Sequence, residues 1–100
     1  MILTDDTIQK SIDTDPLLFL YFWAEWCGPC KHFSPVVEDL KKEKNLNIFK
    51  MNVDENPISS EKFKLTGIPT IIVIKDGLEV HRVIGGTPKH KLAERLKEWV

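Results

Sequence analysis

The two cysteines of the chain, Cys27 and Cys30, stand three positions apart behind a tryptophan, Trp26, with Gly28 and Pro29 between them. A helical pattern begins at about Pro29, so both cysteines are expected at the start of a helix, where residues three apart face the same way. Their Cα atoms should then lie within the window of about 4.4–6.8 Å that a disulfide requires. The spacing predicts a thiol pair that forms and opens a disulfide with little movement of the backbone.

The start of a helix also favours the thiolate of Cys27. Unpaired backbone amides and the positive end of the helix dipole stabilise negative charge there, whereas Cys30 lies one turn inside and is shielded. Lowering a thiol pKa from about 8.5 to about 7 raises the thiolate fraction at neutral pH from roughly 3% to roughly half. We therefore predict that Cys27 attacks a substrate disulfide and that Cys30 then attacks Cys27 to release the reduced substrate.

Composition limits the other uses of two cysteines. The 100 residues are 42% hydrophobic with a net charge of −1, which predicts one domain over 1–100 and no bulk attraction to nucleic acid or an anionic membrane. The longest apolar run, 17–24, is far shorter than the roughly 18 residues of a membrane span, and no secretory signal is recognisable. We therefore expect a cytoplasmic monomer, in which a cysteine pair is redox-active or metal-bound more often than structural.

A zinc site would need two further ligands beside the cysteines. The histidines are His32, His81 and His90, and no two of them have the spacing of a zinc motif. We expect no metal. A structural disulfide, or inert thiols, is the remaining alternative for the pair.

Hydrophobic patterning predicts the elements that position the cysteines. Residues 17–22 are apolar on both alternating faces, as expected of a central strand. The predicted strands are 1–3, 17–22, 46–53, 70–74 and 78–84, the last two joined as a hairpin at Asp76 and Gly77. Helices are predicted after Thr4 as a cap, from about Pro29, from Asn56 as a cap to near Phe63, and after Thr87 as a cap. The order β-α-β-α-β-α-β-β-α predicts a mixed sheet with helices on both faces.

The segment 22–31, FWAEWCGPCK, resembles the active-site segment of the thioredoxin family, and 67–70, GIPT, resembles its second signature. The resemblance extends over nearly the whole chain and includes 52–54, 75–77 and Gly85. It implies an α/β thioredoxin fold, with a central five-stranded mixed sheet flanked by four helices. The implied function is a protein-disulfide reductase in electron transport and redox homeostasis, without a cofactor beyond the Cys27–Cys30 disulfide. Its implied partners are disulfide-containing proteins and a thioredoxin-reductase-type electron donor.

The resemblance also implies a flat apolar surface for substrate beside the nucleophile. Its implied members are Trp26, Gly28, Pro29, Gly67, Ile68, Pro69, Gly85 and Gly86. Gly28 and Pro29 would in addition favour the reducing direction, and Pro69 is expected in the cis form.

Tyr21 departs from the family pattern, which usually has a buried aspartate there to help remove the proton of the resolving cysteine. A phenol has a pKa of about 10, raised further by burial, so Tyr21 is no anionic base near neutral pH. We expect the Cys27 thiolate to form more readily. We also expect Cys30 to lose its proton more slowly, unless water or the Tyr21 hydroxyl relays that proton. Alternatively, Tyr21 only fills core volume. Lys50 matches a lysine near that aspartate, and without this partner a solvated side chain is expected.

Two other functions fit the same residues. One is a specialised thioredoxin-like protein dedicated to one partner or to a different electron donor, which Tyr21 and the short N-terminal strand favour. The other is a thiol-independent binding module that presents the flat apolar surface to a partner.

Overall fold

The computed structural model describes residues 2–100, which form a four-stranded sheet and four α-helices. In chain order the elements are α1 (Ile8–Thr14), β1 (Leu17–Trp23), α2 (Gly28–Lys44), β2 (Ile48–Asn52), α3 (Pro57–Lys62), β3 (Thr70–Lys75), β4 (Leu78–Ile84) and α4 (Lys89–Arg95). The strand order is β2-β1-β3-β4, in which β1 pairs with β2 in parallel and the other two pairs are antiparallel. The predicted mixed sheet and the hairpin are confirmed.

β1 lies inside the sheet because both of its faces are apolar. Phe19 and Tyr21 pack with buried side chains of α2 and α4, while Leu18, Leu20 and Phe22 pack with α1 on the opposite face. All five side chains are buried. Burial on both faces confirms the predicted central strand, which leads directly into the cysteine segment.

The predicted strand at 1–3 is present in residues 2–3 only as an isolated bridge. Met1 lies outside the described residues, and Ile2 forms a single parallel bridge with Lys50. The Leu3 amide donates to the Lys50 carbonyl at 3.1 Å. Such a contact is shorter than an ordinary strand, so the sheet in residues 2–100 has four strands where five were predicted.

Two predicted helix caps are wrong. α1 begins after Thr7 rather than Thr4, and Thr4 contributes its carbonyl, which accepts the amides of Thr7 at 3.1 Å and Ile8 at 2.9 Å. α4 begins after Pro88, and the buried Oγ1 of Thr87 has no hydrogen-bond partner within residues 2–100. In both places the chain turns into the helix without a side-chain cap.

The N-terminus of α3 is capped by Asp5, from a distant part of the chain. Asn56 precedes the helix as predicted, but its amide group bonds elsewhere: Oδ1 accepts the Asp5 amide and Nδ2 donates to the Asn52 carbonyl, both at 2.8 Å. The Asp5 carboxylate accepts the amides of Ile58 at 3.2 Å and Ser59 at 2.8 Å. Desolvation raises the pKa of Asp5, but hydrogen bonds from Ser59 and Ile58 outweigh it and hold the pKa below its ordinary 3.8. The N-terminal segment is thereby tied to α3.

Within residues 2–100, the helices are too short or too polar to cross a membrane.

Candidate active site

The two cysteines lie at the junction between β1 and α2. Pro29 occupies the first turn of α2, where a missing amide leaves no hydrogen bond unmade. Cys27 and Cys30 form a disulfide, with their Cα atoms 5.2 Å apart. This distance lies inside the predicted window, so the helix start brings the pair together as its spacing indicates.

Cys27 is itself the N-cap of α2. Its Sγ accepts a hydrogen bond from the Cys30 amide at 3.2 Å, which is one of the amides that a helix leaves unpaired at its start. Both this hydrogen bond and the helix dipole favour a negative charge on the Cys27 sulfur once the disulfide is open.

Both cysteines are buried in a small apolar cluster. Cys30 exposes 1% of its surface and Cys27 exposes 4%, and Ala24, Val53 and Ile68 pack against them. Cys30 is shielded as predicted. Cys27 keeps the larger exposed fraction of the two residues.

The loop before β3 lies against the cysteines. The Ile68–Pro69 peptide bond is cis, as the resemblance implies, and the Ile68 carbonyl lies 3.9 Å from the Cys27 sulfur. The Pro69 carbonyl accepts the amide of Gly85 at 2.8 Å. Gly85 has a φ of 89°, which favours glycine. The fold thus brings Ile68, Pro69 and Gly85, which are far from the cysteines in sequence, to one side of the cysteine pair.

Trp26 is an exposed aromatic side chain beside the disulfide, with 69% of its surface accessible. Its indole N–H donates to the Asp54 carboxylate at 2.8 Å. The ring forms one wall of an open, largely apolar groove of about 530 Å³ that reaches Gly67 and Ile68. Asp54 was not among the predicted site residues, and its only sequence signal is its place in the family-like segment 52–54.

Tyr21 lies beneath the first turns of α2 and has no exposed surface. Its hydroxyl donates to the Cys30 carbonyl at 3.4 Å and lies 2.8 Å from the hydroxyl of Ser34. Burial raises the pKa of Tyr21 above its ordinary 10.0, although the hydrogen bond with Ser34 works in the opposite direction. Ser34 was not among the predicted site residues. The available signal was its position four residues after Cys30, on the same face of the predicted helix.

Lys50 lies opposite Tyr21 in the register between β1 and β2. Its ammonium group sits over the ring of Trp23, 4.5 Å from the centroid, in a cation–π contact. The side chain is half-buried rather than freely solvated, so the predicted solvated lysine is wrong.

Within residues 2–100, no three histidine, cysteine or acidic side chains are arranged to hold a metal ion. His32 and His90 are exposed. The ring of His81 stacks on that of Trp99 with a centroid distance of 4.8 Å.

Comparison with known proteins identifies the family. The family model described as Thioredoxin matches residues 1–98. The chain belongs to the thioredoxin family. It is 51% identical over 96 residues to a thioredoxin of Staphylococcus aureus, covering 94% of this chain and 91% of that protein. It is 45% identical over 96 residues to a thioredoxin of Staphylococcus saprophyticus, covering 94% of this chain and 88% of that one.

Membership in the thioredoxin family gives the activity. Thioredoxins are protein-disulfide reductases, and this thioredoxin-family chain has its cysteine pair at disulfide distance. It is therefore a thiol-disulfide oxidoreductase, as predicted. The family needs no cofactor beyond the redox-active cysteines, and it implies disulfide-containing protein substrates and a thioredoxin reductase as partner.

Proposed function

We propose that Cys27 is the nucleophile and Cys30 the resolving thiol in the reduction of protein disulfides. The Cys27 thiolate attacks one substrate sulfur, a mixed disulfide forms, and the other substrate sulfur leaves as a thiolate. Cys30 then loses its proton and attacks the Cys27 sulfur, and the second substrate thiolate leaves. Two electrons pass from the dithiol to the substrate disulfide, and the Cys27–Cys30 disulfide remains. The observation that supports these roles is the cap of α2, because the Cys30 amide bonds the Cys27 sulfur and favours its thiolate.

We further propose that substrate binds on the apolar surface around Cys27. The proposed surface consists of Trp26, Gly28, Pro29, Gly67, Ile68, Pro69, Gly85 and Gly86. Trp26 and Pro29 are exposed, and Gly28 and Gly67 face open space where a side chain would otherwise stand. A substrate backbone therefore has room to approach the Cys27 sulfur. Gly28 and Pro29 are also proposed to tune the redox equilibrium, since they lie between the two thiols.

Replacing Trp26 with alanine should raise KM for a disulfide-containing protein about tenfold, because an exposed aromatic anchor contributes roughly 1.4 kcal/mol or more to such contacts. The effect on kcat should be smaller, since the thiols are untouched. Leu78→Ala is the matched control. Leu78 is 70% exposed, as Trp26 is 69%, but it starts β4 at the end of the sheet far from the cysteines. Equal KM values for both variants would place substrate binding elsewhere.

The electron donor is proposed to be a thioredoxin reductase, and the protein is proposed to act as a cytoplasmic monomer with one domain over 1–100. The two large apolar clusters, one on each face of β1, pack on the same sheet, which supports a single domain.

The electron donor can be tested by mixing the purified protein with NADPH, a bacterial thioredoxin reductase and a disulfide-containing protein. The oxidation of NADPH is the readout. We expect turnover that depends on all components.

A specialised thiol-disulfide protein is the second candidate. Tyr21 in place of the usual buried carboxylate favours this candidate. The single bridge that Ile2 forms, within the described residues 2–100, favours it too. Turnover only with a different donor, such as a dithiol reductant, would support this candidate. No reduction with any donor, together with retained binding of a partner, would support the thiol-independent binding module.

A further inference from the structure

The hydroxyl groups of Tyr21 and Ser34 form a short hydrogen-bonded chain beneath the resolving cysteine. The ring of Tyr21 is fully buried and packs edge-to-face on Phe33, with centroids 5.9 Å apart. Its hydroxyl donates to the Cys30 carbonyl, so its oxygen is left to accept the hydrogen of the Ser34 hydroxyl 2.8 Å away. The chain ends on the backbone of Cys30 and not on its sulfur.

Cys30 lies in an apolar cluster. The cluster consists of Ala24, Cys27 and Cys30, and Trp23, Val53 and Ile68 pack against it. Within residues 2–100, no carboxylate, imidazole or phenol is hydrogen-bonded to this sulfur.

The charged groups of the neighbouring elements are engaged elsewhere or face solvent. On β2, the ammonium group of Lys50 sits over Trp23, and just after β2 the carboxylate of Asp54 is bonded to Trp26. The remaining charged or titratable side chains of the cysteine segment are exposed: Glu25, Lys31 and His32. Within residues 2–100, none of these groups forms a hydrogen bond with Cys30, whose side-chain partners are the Tyr21 hydroxyl and the Cys27 sulfur.

We propose that Tyr21 and Ser34 are positioning residues that hold the backbone of Cys30, and that Cys30 resolves the mixed disulfide without a side-chain base. The proposal rests on the roles of Cys27 and Cys30 given above. Water takes the proton of the Cys30 thiol, and the thiolate attacks the Cys27 sulfur and breaks its bond to the substrate sulfur. The departing substrate thiolate then takes up a proton, so that electrons and protons balance. Resolution is therefore limited by the fraction of Cys30 that is ionised.

The two steps can be separated in a stopped-flow experiment with 5,5′-dithiobis(2-nitrobenzoate), whose released thiolate absorbs visible light. Reduced protein releases the first equivalent when Cys27 attacks and the second when Cys30 resolves. Without a side-chain base, the rate of the second phase should rise about tenfold for each pH unit between pH 6 and pH 8, in proportion to the Cys30 thiolate.

Conservative variants test the positioning role. Tyr21→Phe and Ser34→Ala should slow the second phase about threefold at every pH, because the Cys30 backbone is held less accurately. The first phase and the slope with pH should not change, and Ser34→Thr, which keeps the hydroxyl, should restore the rate. A residue that served only stability would leave the second-phase rate unchanged.

A base installed beneath the site tests the other half of the proposal. Tyr21→Asp should raise the second-phase rate at pH 7 at least about tenfold and flatten its pH dependence, since general bases contribute about 10²–10⁴-fold. If this variant does not fold, Tyr21→Phe and Ser34→Ala still decide the question.

Three results would overturn the proposal. The first is a changed pH slope in Tyr21→Phe or Ser34→Ala, which would make the hydroxyl chain a proton relay. The second is an unchanged second-phase rate in both of these variants, and the third is an equal second-phase rate in folded Tyr21→Asp and the original protein. A missing first phase in the original protein, or one that persists in Cys27→Ser, would instead overturn the assignment of Cys27 as the nucleophile.

Discussion

Replacing Cys27 with serine is expected to abolish disulfide reduction, with a loss of at least about 10³-fold in turnover. The serine hydroxyl is not ionised near neutral pH and forms no disulfide, so the first step of the reaction has no nucleophile. The measurement is NADPH oxidation coupled to reduction of a disulfide-containing protein. Cys27 is the N-cap of α2, a position that serine favours, so the fold should be retained, as thermal unfolding will show.

Leu78→Ala is the control for any effect of substitution and purification on turnover, because Leu78 lies far from the cysteines and is exposed. It should keep full turnover. A Cys27→Ser protein that still reduced the substrate would contradict the proposed roles of the two cysteines.

Replacing Cys30 with serine is expected to leave the first step intact and stop the second. The Cys30 thiol is held with its Cα 5.2 Å from that of Cys27, and such a neighbour reacts far faster than a thiol from solution. Its loss should lower multiple turnover at least about 10²-fold and leave substrate bound through a mixed disulfide. Non-reducing gel electrophoresis should show a covalent complex that a small thiol reductant dissolves. Undiminished turnover without such a complex would show that Cys30 is not the resolving thiol.

The elements that the sequence predicted well are those with a strong local pattern. β1 is apolar on both faces, and the β3–β4 hairpin has an Asp76-Gly77 turn with left-handed φ values at both positions, so neither depends on a distant partner. The cap of α3 could not be read from local pattern, because the group that bonds its amides is Asp5, more than fifty residues earlier. Within residues 2–100, the predicted N-terminal strand is reduced to one bridge between Ile2 and Lys50.

The site, too, has features that follow from local sequence and features that depend on distant parts of the chain. Sequence spacing predicts the Cys27–Cys30 pair and its place at a helix start, because the two residues are only three positions apart where the helix begins. The approach of Pro69 and Gly85 to the cysteines followed only from family resemblance. It depends on the pairing of β3 with β1 and β4, which joins distant parts of the chain.

The hydrogen bond between Trp26 and Asp54 and that between Tyr21 and Ser34 were not predicted. Each depends on which of several polar neighbours a side chain meets after packing. Lys50 illustrates the same limit, because its missing carboxylate partner is replaced by the face of Trp23.

The central proposal is that Cys27 bonds to the substrate and Cys30 releases it. The most direct measurement compares reduced Cys30→Ser and Cys27→Ser proteins, each mixed with a disulfide-containing protein, digested without reductant and analysed by mass spectrometry. We expect a substrate cysteine joined to the peptide that contains Cys27 in the first protein, and no covalent complex in the second. A complex formed equally by both variants, or only through Cys30, would contradict it.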